Sequence, residues 1–208
     1  MRKIAALLLL SAFFSLPARA ELNWNWVVDS NHSKIRFQGQ QGAESFTGGF
    51  SGFSAQIHFN PHDLDHSFVT VDIPTRSVST GSGTRDGELP KTEWFDFFHF
   101  HTAKFTASKF VPVAGYANTY DAWGFVTIKE ITRPCYLRFQ LSYEDILEPP
   151  RRDGRPPVIV AQKARMNGVA SIDRFAHNIG TKTDEATVGR FVNVMVVLNA
   201  ERKVGEED

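Results

Sequence analysis

A mainly antiparallel β fold is what this sequence predicts, and three observations predict it. Short runs of strict polar–apolar alternation recur along the 208-residue chain. Clusters of Gly, Pro, Asn and Asp separate them, and no long segment repeats with the 3.6-residue period of a helix. Alternation with period two is the mark of a strand with one dry face and one wet face.

The elements follow in chain order. Ile35 and Phe37 alternate with Lys34 and Arg36. Phe53, Ala55, Ile57 and Phe59 share one face of the next run, and Val69, Val71 and Ile73 one face of the run after it. Cys135, Leu137, Phe139, Leu141 and Tyr143 form a fourth stripe, and Met166, Gly168, Ala170 and Ile172 a fifth. Val192, Val194, Val196 and Leu198 line a last strand. Gly48-Gly49, Asn60-Pro61-His62-Asp63, Gly81-Ser82-Gly83, residues 118–121 and the Pro-rich stretch 148–157 supply the turns. Two short helical pieces are expected, at 85–91 and 93–98. Stretch 148–157 is too polar and Pro-rich to be buried, so it reads as a surface excursion. Seven or eight such strands close into a barrel or stack as a sandwich; periodicity does not separate the two.

Residues 1–20 have the build of a secretory signal peptide. Arg2 and Lys3 precede an apolar run from Ile4 to Phe14, and Ala18-Arg19-Ala20 follows Pro17 as an A-x-A cleavage site. That run is shorter than the roughly 20 residues needed to span a bilayer. The expectation is cleavage after Ala20, a periplasmic location, and one mature domain at 21–208. Lys+Arg and Asp+Glu both number 23 in the whole chain, and losing Arg2, Lys3 and Arg19 leaves a mildly acidic remainder. No basic field is available to hold a polyanion, so nucleic acid is not expected as a partner. One cysteine, Cys135, makes no intrachain disulfide and no thiolate zinc site, and reads as a buried small hydrophobe. The composition is otherwise ordinary except for Phe 18. So many phenylalanines either fill a core or line a cavity.

Several segments together resemble the YceI-like, polyisoprenoid-binding family of secreted bacterial proteins. They are Trp26-Val-Val-Asp-Ser-Asn-His-Ser-Lys-Ile-Arg-Phe37, Gly48-Gly-Phe-Ser-Gly-Phe53, Asn60-Pro61 and Asp63-Leu64. Then come Ser77-Val-Ser-Thr-Gly81, Arg85-Asp86, Trp94-Phe95-Asp96, Phe105-Thr-Ala-Ser108 and Gly124-Phe-Val-Thr-Ile-Lys-Glu-Ile-Thr-Arg-Pro134. The resemblance runs from Trp26 to Leu198. It implies an extended, lipocalin-like antiparallel barrel of about eight strands, with a short helical segment near one end and a long apolar tunnel. It implies, too, one bound long-chain amphiphile such as a polyisoprenoid or an isoprenoid quinone. Three positions depart from the family pattern: Glu130 replaces a usual Gly, Cys135 a small residue, and 173–178 keeps Arg174 alone of an Arg-Ser-Asp-Phe-Gly-like run.

Binding such a ligand needs no catalytic group, because removing each CH₂ from water is worth about 0.8 kcal/mol. No resident cofactor and no catalytic residue are expected: no nucleophile–base pair, metalloprotease helix or phosphate loop is present. Strand parity nominates Phe37, Phe53, Ile57, Phe59, Val71, Phe105, Leu137, Phe139, Met166, Val194 and Val196 as inward positions that touch ligand. Arg85, Asp86 and Arg174 are nominated for a polar headgroup at the tunnel mouth. His58, His62 and His66 are spaced by four, but Pro61 and Asp63 break the helix that a metal site of that spacing would need. His99 and His101, either side of Phe100, are treated alike. A second reading makes the protein a ligand-free accessory module, monomer or homodimer, docking on an inner-membrane redox protein such as a b561-type cytochrome.

Overall fold

The computed structural model describes residues 23–149, 154 and 156–204. The expected signal peptide lies outside the described residues, as does most of the Pro-rich stretch. In chain order the strands are β1 (Asn25–Val28), β2 (Lys34–Gln41), β3 (Glu44–Phe50), β4 (Ser54–Asn60), β5 (Asp63–Pro74) and β6 (Val78–Ser79). After helix α1 (Gly83–Glu88) come β7 (Thr102–Pro112), β8 (Thr119–Ile128), β9 (Ile131–Leu147), β10 (Ile159–Asp173) and β11 (Phe191–Lys203).

All pairings between these strands are antiparallel, and eight strands close a barrel in the order β1-β4-β5-β7-β8-β9-β10-β11 and back to β1. Closure rests on four residues of β1: Asn25 and Trp26 pair with His58 and Ile57, while Val27 and Val28 pair with Glu201 and Ala200. The remaining edge of β11 takes β2, with Phe37 opposite Val194 and Ile35 opposite Val196. The β2–β3 hairpin then reaches β6 through Gly49 and Ser79. A barrel, and not a sandwich, is therefore the architecture.

Parity holds where the strands are regular. On β9 and β10, Leu137 lies opposite Ala170, Phe139 opposite Gly168 and Leu141 opposite Met166. It breaks on β7, where a bulge between Ala107 and Lys109 adds a residue. Phe105 and Ala107 point inward before the bulge and Phe110 after it, so odd numbers give way to even. The bulge also explains Gly124, where a Cβ would lie 2.0 Å from the Thr106 carbonyl oxygen.

The helical pieces differ from expectation. α1 is a little earlier and shorter than 85–91, and 93–98 forms turns. Asp96 sits at φ 51°, a left-handed conformation that interrupts a helix, and accepts the backbone N–H of His99 and Phe100. Apolar side chains gather in two clusters. One holds Trp26, Phe59, Phe110, Tyr120 and Phe139 at the β1 end. The other holds Ala103, Ile128 and Ile179 beneath Trp94 and Phe95 at the α1 end.

Candidate functional site

Between these clusters the barrel encloses a cavity of about 380 Å³, within the range of small-ligand sites. Ten of the eleven nominated inward residues line it: Phe37, Ile57, Phe59, Val71, Phe105, Leu137, Phe139, Met166, Val194 and Val196. Phe53 does not. It lies just before β4, where the two-residue period that put it on the Ile57 face has not yet begun.

The interior stays open because small side chains alternate with large ones. Ala103, Ala122, Ala164, Ala170 and Ala200 all face the cavity. Phe110, inward only because of the β7 bulge, also lines it, and so do Trp26, Leu141 and Tyr143. Phe110 and the alanines other than Ala170, which shares the Met166 stripe, escaped the sequence reading. The alanines carry little hydropathic signal, and no local pattern announces the bulge.

Most of the polar side chains of the lining gather at the α1 end, where Gln41, Thr80, Thr84, Arg85 and Glu88 meet the cavity. Thr84 and Glu88 are also exposed to solvent, so this end is the mouth. The three nominated headgroup residues have different situations there. Arg85 lies 4.6 Å over the Phe46 ring, donates from Nε to Thr80 Oγ1 (3.2 Å) and from Nη1 to Gln41 Oε1 (3.0 Å), and keeps donors in reserve. Asp86 does not line the cavity. Its carboxylate accepts from the Thr80 N–H, the Thr80 hydroxyl and the Ser79 hydroxyl, and these bonds, the Thr80 hydroxyl foremost, hold its pKa below the ordinary carboxylate value.

Arg174 lines the cavity but is 3% exposed, with its donors committed elsewhere. Nε donates to Gly189 O (3.0 Å), Nη1 to Ile179 O (2.9 Å) and Gly180 O, and Nη2 to Thr183 O (2.9 Å) and Val188 O (2.6 Å). A guanidinium has five N–H groups, so none remains for a headgroup. Phe175 at 4.1 Å and Trp94 at 5.9 Å flank the ion, and burial draws its pKa down. Arg174 thus ties loop 179–189 across the barrel end.

His177, on the 3-10 turn Phe175–His177, is 2% exposed. Its Nδ1 donates to the Ile131 carbonyl at 3.0 Å, and burial lowers its pKa. Among the described residues the other histidines join no group of side chains that could hold a metal ion. His58 meets Asn25 (2.9 Å), His66 meets Asp63 (2.8 Å), His62 sets its ring edge-on to Trp24, and His99 meets Asp96 (2.9 Å).

At the opposite end the cavity closes on aromatic rings. Trp26 Nε1 donates to Phe59 O at 3.0 Å, and the Arg202 guanidinium lies 3.8 Å over Trp24 and 5.4 Å over Trp26. Next to Trp26, the Tyr143 hydroxyl is sealed from solvent and has no hydrogen-bond partner among the described residues.

A closed eight-stranded antiparallel barrel around an apolar chamber, with one polar end, defines a lipocalin-like class of protein. The YceI-like domain family model matches residues 26–200, and the chain belongs to that family. It is 27% identical over 140 residues to a UPF0312 protein of Vibrio vulnificus (strain YJ016), covering 66% of this chain and 72% of the relative. To Protein YceI of Salmonella arizonae it is 25% identical over 134 residues, covering 64% and 69%. Among solved structures, BcnA of Burkholderia cenocepacia superposes with TM-score 0.68 at 24% identity, over 83% of this chain and 99% of that one. A polyisoprenoid binding domain from Saccharophagus degradans superposes with TM-score 0.55 at 17% identity, over 86% and 98%. At these identities the two superpositions show a shared fold.

Proposed function

We propose that this protein is exported to the periplasm and there holds one long-chain amphiphile, such as a polyisoprenoid or an isoprenoid quinone, for transport or storage. The observation that carries the reading is the cavity itself: almost wholly apolar along its length, with most of its polar side chains gathered at the end that meets solvent. A tail laid along it leaves water at about 0.8 kcal/mol per CH₂, which is ample affinity without any charged contact. Family membership and the superposed polyisoprenoid binding domain support the same chemistry. At the mouth, Arg85 has the free donors to meet a headgroup, whereas Asp86 and Arg174 serve the local structure. An open interior favours ligand carriage over the ligand-free docking module, which would suit a close-packed barrel.

The test is mass spectrometry of organic extracts from natively purified protein, beside Ala170→Phe. The phenyl ring enters the cavity from β10 and should at least halve the recovered amphiphile while the barrel still melts cooperatively. Wild-type preparations without amphiphile, and no thermal stabilisation by added polyprenol or quinone, would sink the reading.

A further inference from the structure

At the end opposite α1 the cavity stops against side chains packed two deep. Trp26, Phe59, Phe110 and Phe139 line it there, from β1, β4, β7 and β9. Phe59 stands edge-on to Phe110 at 5.3 Å and to Phe139 at 5.7 Å, so these rings interlock. Behind them lies a layer that the cavity does not reach. Tyr120 meets Phe59 at 5.2 Å and Phe139 at 5.6 Å, and Leu64 and Trp24 pack against the same cluster. None of these three lines the cavity. Arg202, 5% exposed, backs Trp24 and is held by Gln162 Oε1 and Asn23 O, both at 3.2 Å. Edge-to-face rings at such spacings attract one another beyond their area burial, so the wall resists a tail that presses on it.

The room in front of the wall is limited. The cavity measures about 380 Å³. A CH₂ group fills about the space of a water molecule, roughly 30 Å³, so the barrel takes about a dozen carbons. That is about two to three isoprene units.

We infer that the aromatic wall sets the length of the ligand, and that this protein selects amphiphiles whose single isoprenoid-like tail is no longer than about farnesyl size, entering tail first. Once the tip of the tail meets Phe59 and Phe110, each further carbon stays in water at the mouth and adds nothing to affinity. The inference rests on the cavity reading above and gives its ligand a size.

Geraniol, farnesol, geranylgeraniol and solanesol carry the same hydroxyl headgroup on tails of increasing length. Each is supplied on methyl-β-cyclodextrin to compete with tritiated farnesol for the purified protein. Affinity should climb from geraniol to farnesol and then level off, with geranylgeraniol and solanesol within about threefold of farnesol. Unlimited burial would instead tighten geranylgeraniol roughly a thousandfold over farnesol, through its five additional carbons. Ala200 lines the cavity from β11 and packs against the wall, so Ala200→Leu moves the stop toward the mouth. It should cost farnesol roughly tenfold more than it costs geraniol. Tightening that continues through geranylgeraniol overturns the length limit and leaves the cavity reading standing. An equal cost of Ala200→Leu to both alcohols does the same, and the wild-type series decides without any variant. Binding of none of the four alcohols by wild type sinks the cavity reading first.

Discussion

Tyr143 and Arg174 bear on the site in opposite ways, because one has a polar group unmet and the other has every donor met. A buried hydroxyl without a partner costs about 1–3 kcal/mol. Tyr143→Phe removes only that oxygen and keeps the ring against Trp26, so stability should rise by about 1 kcal/mol. Urea unfolding with unchanged slope and a higher midpoint is the expected record; a loss of stability would show that the hydroxyl has found a partner. Burial raises the Tyr143 pKa further above its ordinary value, so the group stays neutral throughout. Arg174 was legible as a special residue, the one kept from the run that the resemblance implies at 173–178, but its task was not. The carbonyls it binds come from 179 to 189, and only the folded loop brings them together. Gly180 belongs to the same knot: its φ is 60°, and a Cβ there would lie 2.7 Å from Arg174 Nη1.

Strands and turns show where periodicity can be read and where it misleads. β9, β10 and β11 kept the parity of their sequences from Cys135 to Tyr143, Ala164 to Ile172 and Val192 to Leu198, where the ladders are regular, and the β9–β10 register slips only near its far end, between Ile159 and Ala161. β7 did not, since one inserted residue reverses every side chain after it. The β8–β9 turn carries a different lesson. Ile128 pairs with Ile131, which leaves Lys129 and Glu130 as a two-residue turn with φ of 51° and 60°. Both positive values match a type I′ hairpin, whose second position suits glycine. Glu130 at that position is therefore a strained choice. Glu130→Gly should stabilise the protein by about 0.5–1 kcal/mol, raising the melting temperature by about 1–4 °C. A fall in melting temperature would mean that the Glu130 side chain supplies an interaction larger than the strain.

Closure of the whole barrel sets the chemistry of its wall. Cys135 on β9 lines the cavity, and burial pushes its thiol up from 9.0 to about 11. At pH 8 the reactive thiolate is then roughly 100-fold scarcer than in a thiol of ordinary pKa. Labelling by a neutral disulfide reagent should be slow at pH 8, quicken about tenfold per pH unit up to about 11, and slow further when amphiphile fills the cavity. The stability sign follows from the raised value. Stability from keeping the thiol neutral is complete below pH 9 and is lost as pH rises from 9 through about 11. Fast labelling at pH 8, or no protection by ligand, would show that β9 opens to solvent in the native barrel.

By itself the sequence determined the antiparallel strands, the inward face of most of them and the family. All three are written locally, in two-residue alternation and in short motifs kept in order. Tertiary structure alone decided that the sheet closes, since closure rests on four residues of β1 reaching two distant strands. It decided also that the phenylalanines line a cavity and do not fill one. That outcome depends on alanines from β7, β8, β10 and β11 meeting across the barrel, a sum of volumes from strands far apart in the chain.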